Sequence, residues 1–328
     1  MKQRVSERER GAALLAVLLL VAVTGAIAAA MVEDLRLSRG VALNATARDQ
    51  GRLFADGVEQ LALLTIDDRV RDNPERTTLA GNWNGATRTI QLPGGGSADV
   101  TVRDGANCFN LNSVVDGQPG HPFVRRASGV AEFVGLMLAL QVPESDARRI
   151  GEAAADWADS DRVAAPGGAE DEAYASGPAP YRTGNTLFAD PGEVRALAGM
   201  TPEIFARLRP WLCAMPTNDL SPINVNTLGV EQAPLLAMLA PGQISPDRAR
   251  AIIAQRPSGG WGNQVEFWRV EAMSELTVPL DVRVQPQMKT NWFALDVRVR
   301  LMGSEYRENV LVDARLQPSR IVQRRWTE

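Results

Sequence analysis

The chain has 328 residues, 39 acidic against 35 basic side chains, a net charge of −4, 45 % hydrophobic residues, one histidine and two cysteines. This is a globular composition, long enough for about two domains and a sizeable core. The acidic balance argues against nucleic acid as the main partner. A single histidine, His121, excludes His-rich metal sites and the usual Ser-His-Asp or Cys-His machinery, so no enzyme is expected.

Met1–Gly11 is short and polar, and Ala12–Met31 then runs for twenty residues without a charge. That length crosses a bilayer as a helix. Lys2, Arg4, Arg8 and Arg10 outnumber Glu7 and Glu9, which holds the N-terminus in the cytoplasm and places the rest in the periplasm, anchored by one span in the inner membrane. Three fates are open to this segment. A secretory signal would be cut near Ala28-Ala29-Ala30, a plain anchor would stay uncut, and a prepilin-type leader would be cut between Gly11 and Ala12. The Arg10-Gly11-Ala12 junction favours the third. So does the amphipathic continuation, in which Val32, Leu35, Leu37, Val41, Leu43, Leu53, Phe54, Val58, Leu61 and Leu64 recur at roughly helical spacing.

Beyond a polar Asp67–Gly81 segment, Thr89–Leu92 and Ala98–Arg103 read as strands joined by the Pro93-Gly94-Gly95-Gly96 turn. From Ser113 to about Val282 the period becomes helical. Helices are expected at Val130–Leu140, at Ser145–Ala158 with Ser145 as N-cap, at Asp190–Met200, at Thr201–Leu212, at Glu231–Leu239 and at Ser245–Gln255. Period two returns at Trp292–Leu301, with Phe293, Leu295, Val297, Val299 and Leu301 on one face. Gly303-Ser304 turns the chain into a strand carrying Val310, Val312, Ala314 and Leu316, and Ile321-Val322 starts another. C-terminal hairpins of this size are marginal alone. The economical reading is one α/β module interrupted by an all-α insertion, the alternative being three consecutive domains.

Cys108 and Cys213 would lie in an oxidising compartment. A disulfide between them would close a loop of about a hundred residues and add roughly 4 kcal/mol on the chain-entropy estimate; the alternative is two unrelated buried thiols. Trp157, Trp211, Trp261, Trp268 and Trp292 are irregularly spaced, as core or interface anchors are, rather than grouped as a ligand cage.

Between Ile150 and Tyr181 lie seven carboxylates, Glu152, Asp156, Asp159, Asp161, Glu170, Asp171 and Glu172, against one base, Arg162. Such a set repels itself unless it is spread in solvent or shares a cation. Asp159 and Asp161 alternate, and Gly167-Gly168 can turn the backbone so that Glu170 and Asp171 come back to them. Oxygen ligands without nearby His or Cys suit calcium and not zinc. Asp159, Asp161, Glu170 and Asp171 are therefore the candidate ligands of a structural calcium ion, set against a solvated acidic loop. A second signal, Ile223-Asn224-Val225-Asn226-Thr227 followed by two helices around Ala240–Ser245, is similar to a helix-hairpin-helix. Its glycine pattern is broken, its bases are only Arg248, Arg250 and Arg256, and it is read as structural, with Asn224 and Asn226 satisfying backbone groups of the turn.

Several motifs in order carry a resemblance that covers nearly the whole chain: Cys108-Phe109-Asn110-Leu111-Asn112, the acidic Asp156–Asp161, Gly168-Ala169-Glu170-Asp171, Pro180–Asn185 and Ile223–Thr227. Together with the glycine-terminated leader, they resemble the K-type minor pseudopilins of the type II secretion system. The resemblance implies an α+β, pilin-like fold: a leader (1–11), a transmembrane part of the helix (12–31), a pilin-like module in two pieces (32–112 and 286–328) and an all-α insertion (113–285) between them. It implies cleavage after Gly11 and methylation of Ala12 by prepilin peptidase, calcium in the insertion, and I-type and J-type minor pseudopilins as partners, with secreted proteins as further candidates. Most pseudopilins carry glutamate at the fifth mature position, where this chain has Ala16. A subunit without that carboxylate cannot neutralise the amine of a subunit ahead of it, which suits the leading position at a filament tip. The alternative function is a membrane-anchored helix-hairpin-helix protein for DNA uptake or binding.

Overall fold

The computed structural model describes residues 7–118, 120–176 and 180–327. Helix α1 (Glu7–Asp72) is followed by strands β1 (Thr87–Gln91) and β2 (Ser97–Asp104). The two-residue strands β3 (Phe109–Asn110), β4 (Val115–Asp116) and β5 (Val124–Arg125) lead into helices α2 (Ala127–Ala139), α3 (Glu144–Ala158), α4 (Asp171–Ala175) and α5 (Pro202–Leu208). After β6 (Leu212–Cys213) come the short helices α6 (Ala233–Ala237), α7 (Pro246–Ala254), α8 (Gln264–Trp268), α9 (Glu271–Ser274) and α10 (Leu280–Arg283). Strands β7 (Trp292–Leu301), β8 (Ser304–Asp313) and β9 (Arg320–Thr327) complete the chain.

At 1.5 Å per residue, α1 is about 100 Å long, and its halves differ. Every residue from Gly11 to Thr46 is exposed, including the whole apolar stretch that is long enough to cross a membrane. From Ala47 onward one stripe is covered: Ala55, Val58, Ala62, Ile66 and Val70 recur every three or four residues and pack on an antiparallel sheet of order β1-β2-β7-β8-β9. The facing side of the sheet supplies Ala98 and Val100 from β2, Phe293, Leu295, Val297 and Val299 from β7, and Val310 and Val312 from β8. The period-two pattern of Trp292–Leu301 thus maps onto one buried face, as alternation requires.

β2 pairs with β7, from the far side of the helical block, in the register Asp104↔Phe293. The chain therefore leaves the sheet and returns to it at one place. The helical block has its own apolar core, in which Phe109 stacks on Phe133 of α2 with ring centroids 4.8 Å apart. Several of its helices begin or end differently from expectation: α5 stops at Leu208 and α6 spans only Ala233–Ala237, and two more differ at their caps. α3 starts at Glu144, directly after Pro143, whose extended backbone occupies the cap position, so Ser145 lies inside the first turn. Asp190 does cap a helix, with Glu193 completing a capping box, but that helix is a 3-10 turn over Pro191–Ala196. Leu197 is extended, and Gly199 adopts a φ of +86°, so the chain turns away before Met200. Thr201 and Ser245 accept from Ile204 N–H and Arg248 N–H and cap α5 and α7.

α1 is also held to the sheet by charge. Glu59 is fully buried and accepts two hydrogen bonds from the Arg324 guanidinium of β9, at 2.9 and 2.6 Å. Glu308 of β8 lies beside this pair, accepts the Tyr306 hydroxyl at 3.0 Å, and among the described residues keeps one oxygen without a donor. Burial and the Glu59 carboxylate push Glu308 up to about 7. A carboxyl whose folded pKa is raised contributes stability below its unfolded value and loses it as pH rises through the folded one. Glu308→Gln is therefore expected to gain thermal stability over the parent as pH rises from about 4.5 to about 7 and to hold that advantage above it. Melting curves of both proteins across that range measure it; an advantage independent of pH would show that Glu308 stays ionised.

Candidate metal centre

The C-terminal end of α3 and the loop after it build the acidic site. Asp156, in the last turn of α3, is buried and accepts the Ala165 amide at 3.1 and 3.2 Å, which curls the loop back over the helix end. Gly168 sits against that carboxylate so closely that an added Cβ would lie 2.0 Å from Asp156 Oδ2, while Gly167 takes a φ of +88°. The Ser160 hydroxyl accepts the Phe123 amide at 2.8 Å and its own amide donates to Phe123 O at 3.0 Å, pinning the loop from the other side. Beneath it, Trp157 meets Tyr174 edge-on at 5.8 Å and stacks on Phe188 at 6.4 Å, so it belongs to the core.

This folding brings together Asp159, Asp161 and Glu170, which offer carboxylate oxygens within 4.8 Å of one another. Asp159 and Glu170 are 4 % and 6 % exposed, and Asp159 Oδ1 and Glu170 Oε1 have no hydrogen-bond partner among the described residues. Burial, then the charges of Asp161, Asp156 and Glu170, push Asp159 up to about 6, and burial raises Glu170 and Asp156 as well. Two buried oxygens without donors inside a self-repelling cluster are the arrangement that a hard cation neutralises. The donor set is all oxygen, which fits calcium; zinc takes nitrogen and sulfur at its structural sites.

Asp171 is not brought into this group. Its Oδ1 accepts the Thr183 amide and hydroxyl, both at 2.9 Å, which hold its pKa down and tie the start of α4 to the Pro180–Asn185 segment. The Thr183 hydroxyl also lies 3.2 Å from Glu170 Oε2, so its single proton is shared between two carboxylates, with Asp171 the nearer. Neither Thr183 nor the anchoring role of Asp156 was read from the sequence; the only signal was that both lie in the motifs that carry the resemblance.

The other singled-out motifs are structural. Cys108 and Cys213 form a disulfide, with Cα atoms 5.8 Å apart, next to the parallel pairing of β3 with β6. Asn110 donates to Thr217 O and Asp219 O and accepts from the Asn112 and Met215 amides; Asn112 donates to Phe188 O and Met215 O. Both are fully buried. In Ile223–Thr227, the Asn224 amide side chain donates to Thr77 O and Thr290 Oγ1, and Asn226 both donates to and accepts from the Trp261 backbone. These contacts reach far beyond the local turn expected for them. The three bases of the helix-hairpin-helix-like segment are engaged internally: Arg256 donates to Val225 O and Leu228 O, Arg248 pairs with Glu275 and Arg250 with Asp247.

Replacing Gly168 with alanine drives a methyl group into Asp156. A loss of about 1–3 kcal/mol in unfolding free energy is expected for such overpacking, measured by denaturant titration; an unchanged midpoint would mean that the loop does not depend on this contact.

Known proteins place this geometry. The family described as type II secretion system (T2SS), protein K matches residues 107–217 and again 223–285. Type II secretion system protein K of Pectobacterium carotovorum subsp. carotovorum is 31 % identical over 97 % of both chains, and that of Klebsiella pneumoniae 32 % over 98 % of both. The GspK-GspI-GspJ complex from the enterotoxigenic Escherichia coli type 2 secretion system contains a chain 28 % identical, with a TM-score of 0.73 over 85 % of this chain and 96 % of that one. Likeness over the sheet, the helical block and the long helix together identifies the chain as a member of the type II secretion system protein K family, a minor pseudopilin.

Proposed function

We propose that the chain is the tip subunit of a periplasmic pseudopilus, assembled with I-type and J-type minor pseudopilins, and that its acidic loop holds calcium. The observation that carries this reading is the contrast along α1 within a protein K fold. The helix is wholly exposed from Gly11 to Thr46 and covered on one stripe beyond it, so its first half needs a bilayer and then neighbouring helices as its surroundings. The relative in the GspK-GspI-GspJ complex has the same fold, which supports the two partner types. Ala16, where a carboxylate would meet the amine of a subunit ahead, supports the leading position. Nothing among the comparisons favours the DNA-binding alternative, and of the three bases in the helix-hairpin-helix-like segment Arg256 is spent on the Val225 and Leu228 carbonyls.

In this reading prepilin peptidase cuts after Gly11 and methylates Ala12, which leaves the apolar helix on the mature subunit in the inner membrane. The N-terminal peptide of protein extracted from membranes is expected to begin at a methylated Ala12 only when the peptidase is present. A start near Met31 would mean ordinary secretion and would overturn the pseudopilin processing.

Asp159, Asp161 and Glu170 would ligate calcium, with Asp156, Gly168 and Thr183 fixing the loop and the carboxylates that surround it. The ion would supply the positive charge that Asp159, Asp161 and Glu170 lack and would tie α3 to α4. Ligand binding to the folded state stabilises it by mass action. Calcium at about a hundredfold its dissociation constant is expected to raise the Tm by roughly 5 °C, and Asp159→Asn with Asp161→Asn to abolish that rise while leaving the chelated protein unchanged or more stable. Since burial and the neighbouring carboxylates push Asp159 up to about 6, calcium affinity is expected to fall as pH drops through that value. A calcium-independent Tm in the parent would remove the metal from the proposal.

A further inference from the structure

The five-stranded sheet has β1 and β9 at its edges. The side chains of β9 hold the segment before α5: Gln323 Nε2 and the Arg325 guanidinium donate to Ala189 O, and Arg325 also pairs with Asp190 at 2.9 Å. Among the described residues β1 pairs on one side only, with β2. The Leu92 amide bonds Gly96 O at 3.2 Å at the hairpin end, and the β1–β2 register runs unshifted from Thr87↔Thr101 to Gln91↔Ser97. By the alternation of an antiparallel ladder, Arg88 and Ile90 point their backbone groups at β2, and Thr87, Thr89 and Gln91 point theirs outward. An open edge of this kind is a template for another strand.

Beside that edge, on the α1 side, is an apolar groove of about 340 Å³ lined by Leu61 and Ile66 of α1, Trp83, Ile90 and Val102, with Arg88 at its rim. Leu61 and the neighbouring Leu64 are more than half exposed. Arg69 lies over the Trp83 ring, 5.0 Å from its centroid, in the same groove. Arg88 and burial both hold the Arg69 pKa down, with only Asp72 opposing them, so two positive charges share this space. Among the described residues neither guanidinium has a carboxylate within 4.0 Å, while Asp68 pairs with Arg71 instead.

We propose that β1 and this groove form a strand-addition site for an extended segment of a partner protein, with apolar side chains at alternate positions and a carboxylate between them. The main chain of the segment would pair with the outward groups of Thr87, Thr89 and Gln91. Its helix-facing side chains would enter the groove, and its carboxylate would meet Arg88 and Arg69. This mode takes affinity from backbone hydrogen bonds and specificity from alternate side chains.

The test uses the full chain in detergent and a fluorescein-labelled peptide, Thr-Val-Thr-Glu-Thr-Val-Thr, followed by anisotropy. Thr89→Pro removes an outward N–H without touching the β2 ladder, a change edge strands accept. Thr89→Val keeps the N–H and serves as control, since both variants lose the Thr89–Asp99 side-chain bond. The expected result is saturable binding by the parent and Thr89→Val, roughly ten-fold weaker binding by Thr89→Pro, and a preference for glutamate over a lysine version of the peptide that Arg88→Glu reverses. Hydrogen exchange should slow at the Thr89 and Gln91 amides and not at Arg88 or Ile90. No binding by the parent, equal binding by Thr89→Pro, or indifference to the charge of the peptide would overturn the proposal.

Discussion

The place where the chain leaves the sheet and returns to it depends on one buried carboxylate. Asp104, the last residue of β2, accepts hydrogen bonds from the Thr227 hydroxyl at 2.6 Å, from the Thr290 hydroxyl and from the Ala106 amide. Asn107 and Asn224 interlock beside it, Asn107 Nδ2 donating to Thr227 Oγ1 and the Asn224 amide donating to Asn107 Oδ1. Thr77, from the segment after α1, is drawn in through Asn224 and Thr290. Burial raises the Asp104 pKa, and its hydrogen-bond donors oppose that rise. Such a network is costly if one member is missing and rigid when all are present. Here it fixes the exit of the helical block, its re-entry and the end of the long helix at a single joint. The position of the acidic loop relative to α1 follows from it.

A joint of this kind lets two bodies with separate cores act as one. The sheet and the second half of α1 form one core, and the helical block forms another. The contact between them combines a small apolar cluster of Ala106, Met215 and Trp292 with the directional Asp104 hydrogen bonds, which select one orientation where the apolar contact alone would tolerate sliding. The disulfide, the Asn110–Asn112 hydrogen bonds and the parallel β3–β6 pairing brace the first residues of the insertion in the same way. A head that must project from the end of a long helix gains from such rigidity, because any slack at the joint is multiplied by the length of the lever.

The charged groups divide by what they face. Glu59, paired with Arg324, fastens the helix to the outer strands of the sheet, with Glu308 strained beside it. Among the described residues Asp159, Asp161 and Glu170 have no guanidinium or ammonium group within 4.0 Å. Arg162 is the one base in that stretch of sequence, and the Arg125 guanidinium is taken by Glu152 at 2.6 and 2.8 Å. The two groups of buried acids differ in whether the fold supplies the counter-charge.

Periodicity and composition alone determined much of this protein. The uncharged run at 12–31, the period-two strand at Trp292–Leu301, the proline-led caps at Thr201 and Ser245 and the surplus of acids at 150–181 are all local patterns, and local patterns survive in one dimension. The family could be read from short motifs for the same reason. What needed the tertiary structure were contacts between residues far apart in the chain. That Asp171 is claimed by Thr183 while Glu170 joins Asp159 and Asp161, that Asn224 reaches Thr77 and Thr290, and that β1 lies at a sheet edge beside a charged groove depend on backbone paths that no spacing rule encodes. The early end of the Asp190 helix and the start of α3 at Glu144 belong with these, since capping residues mark where a helix can begin but packing and backbone turns decide where it does.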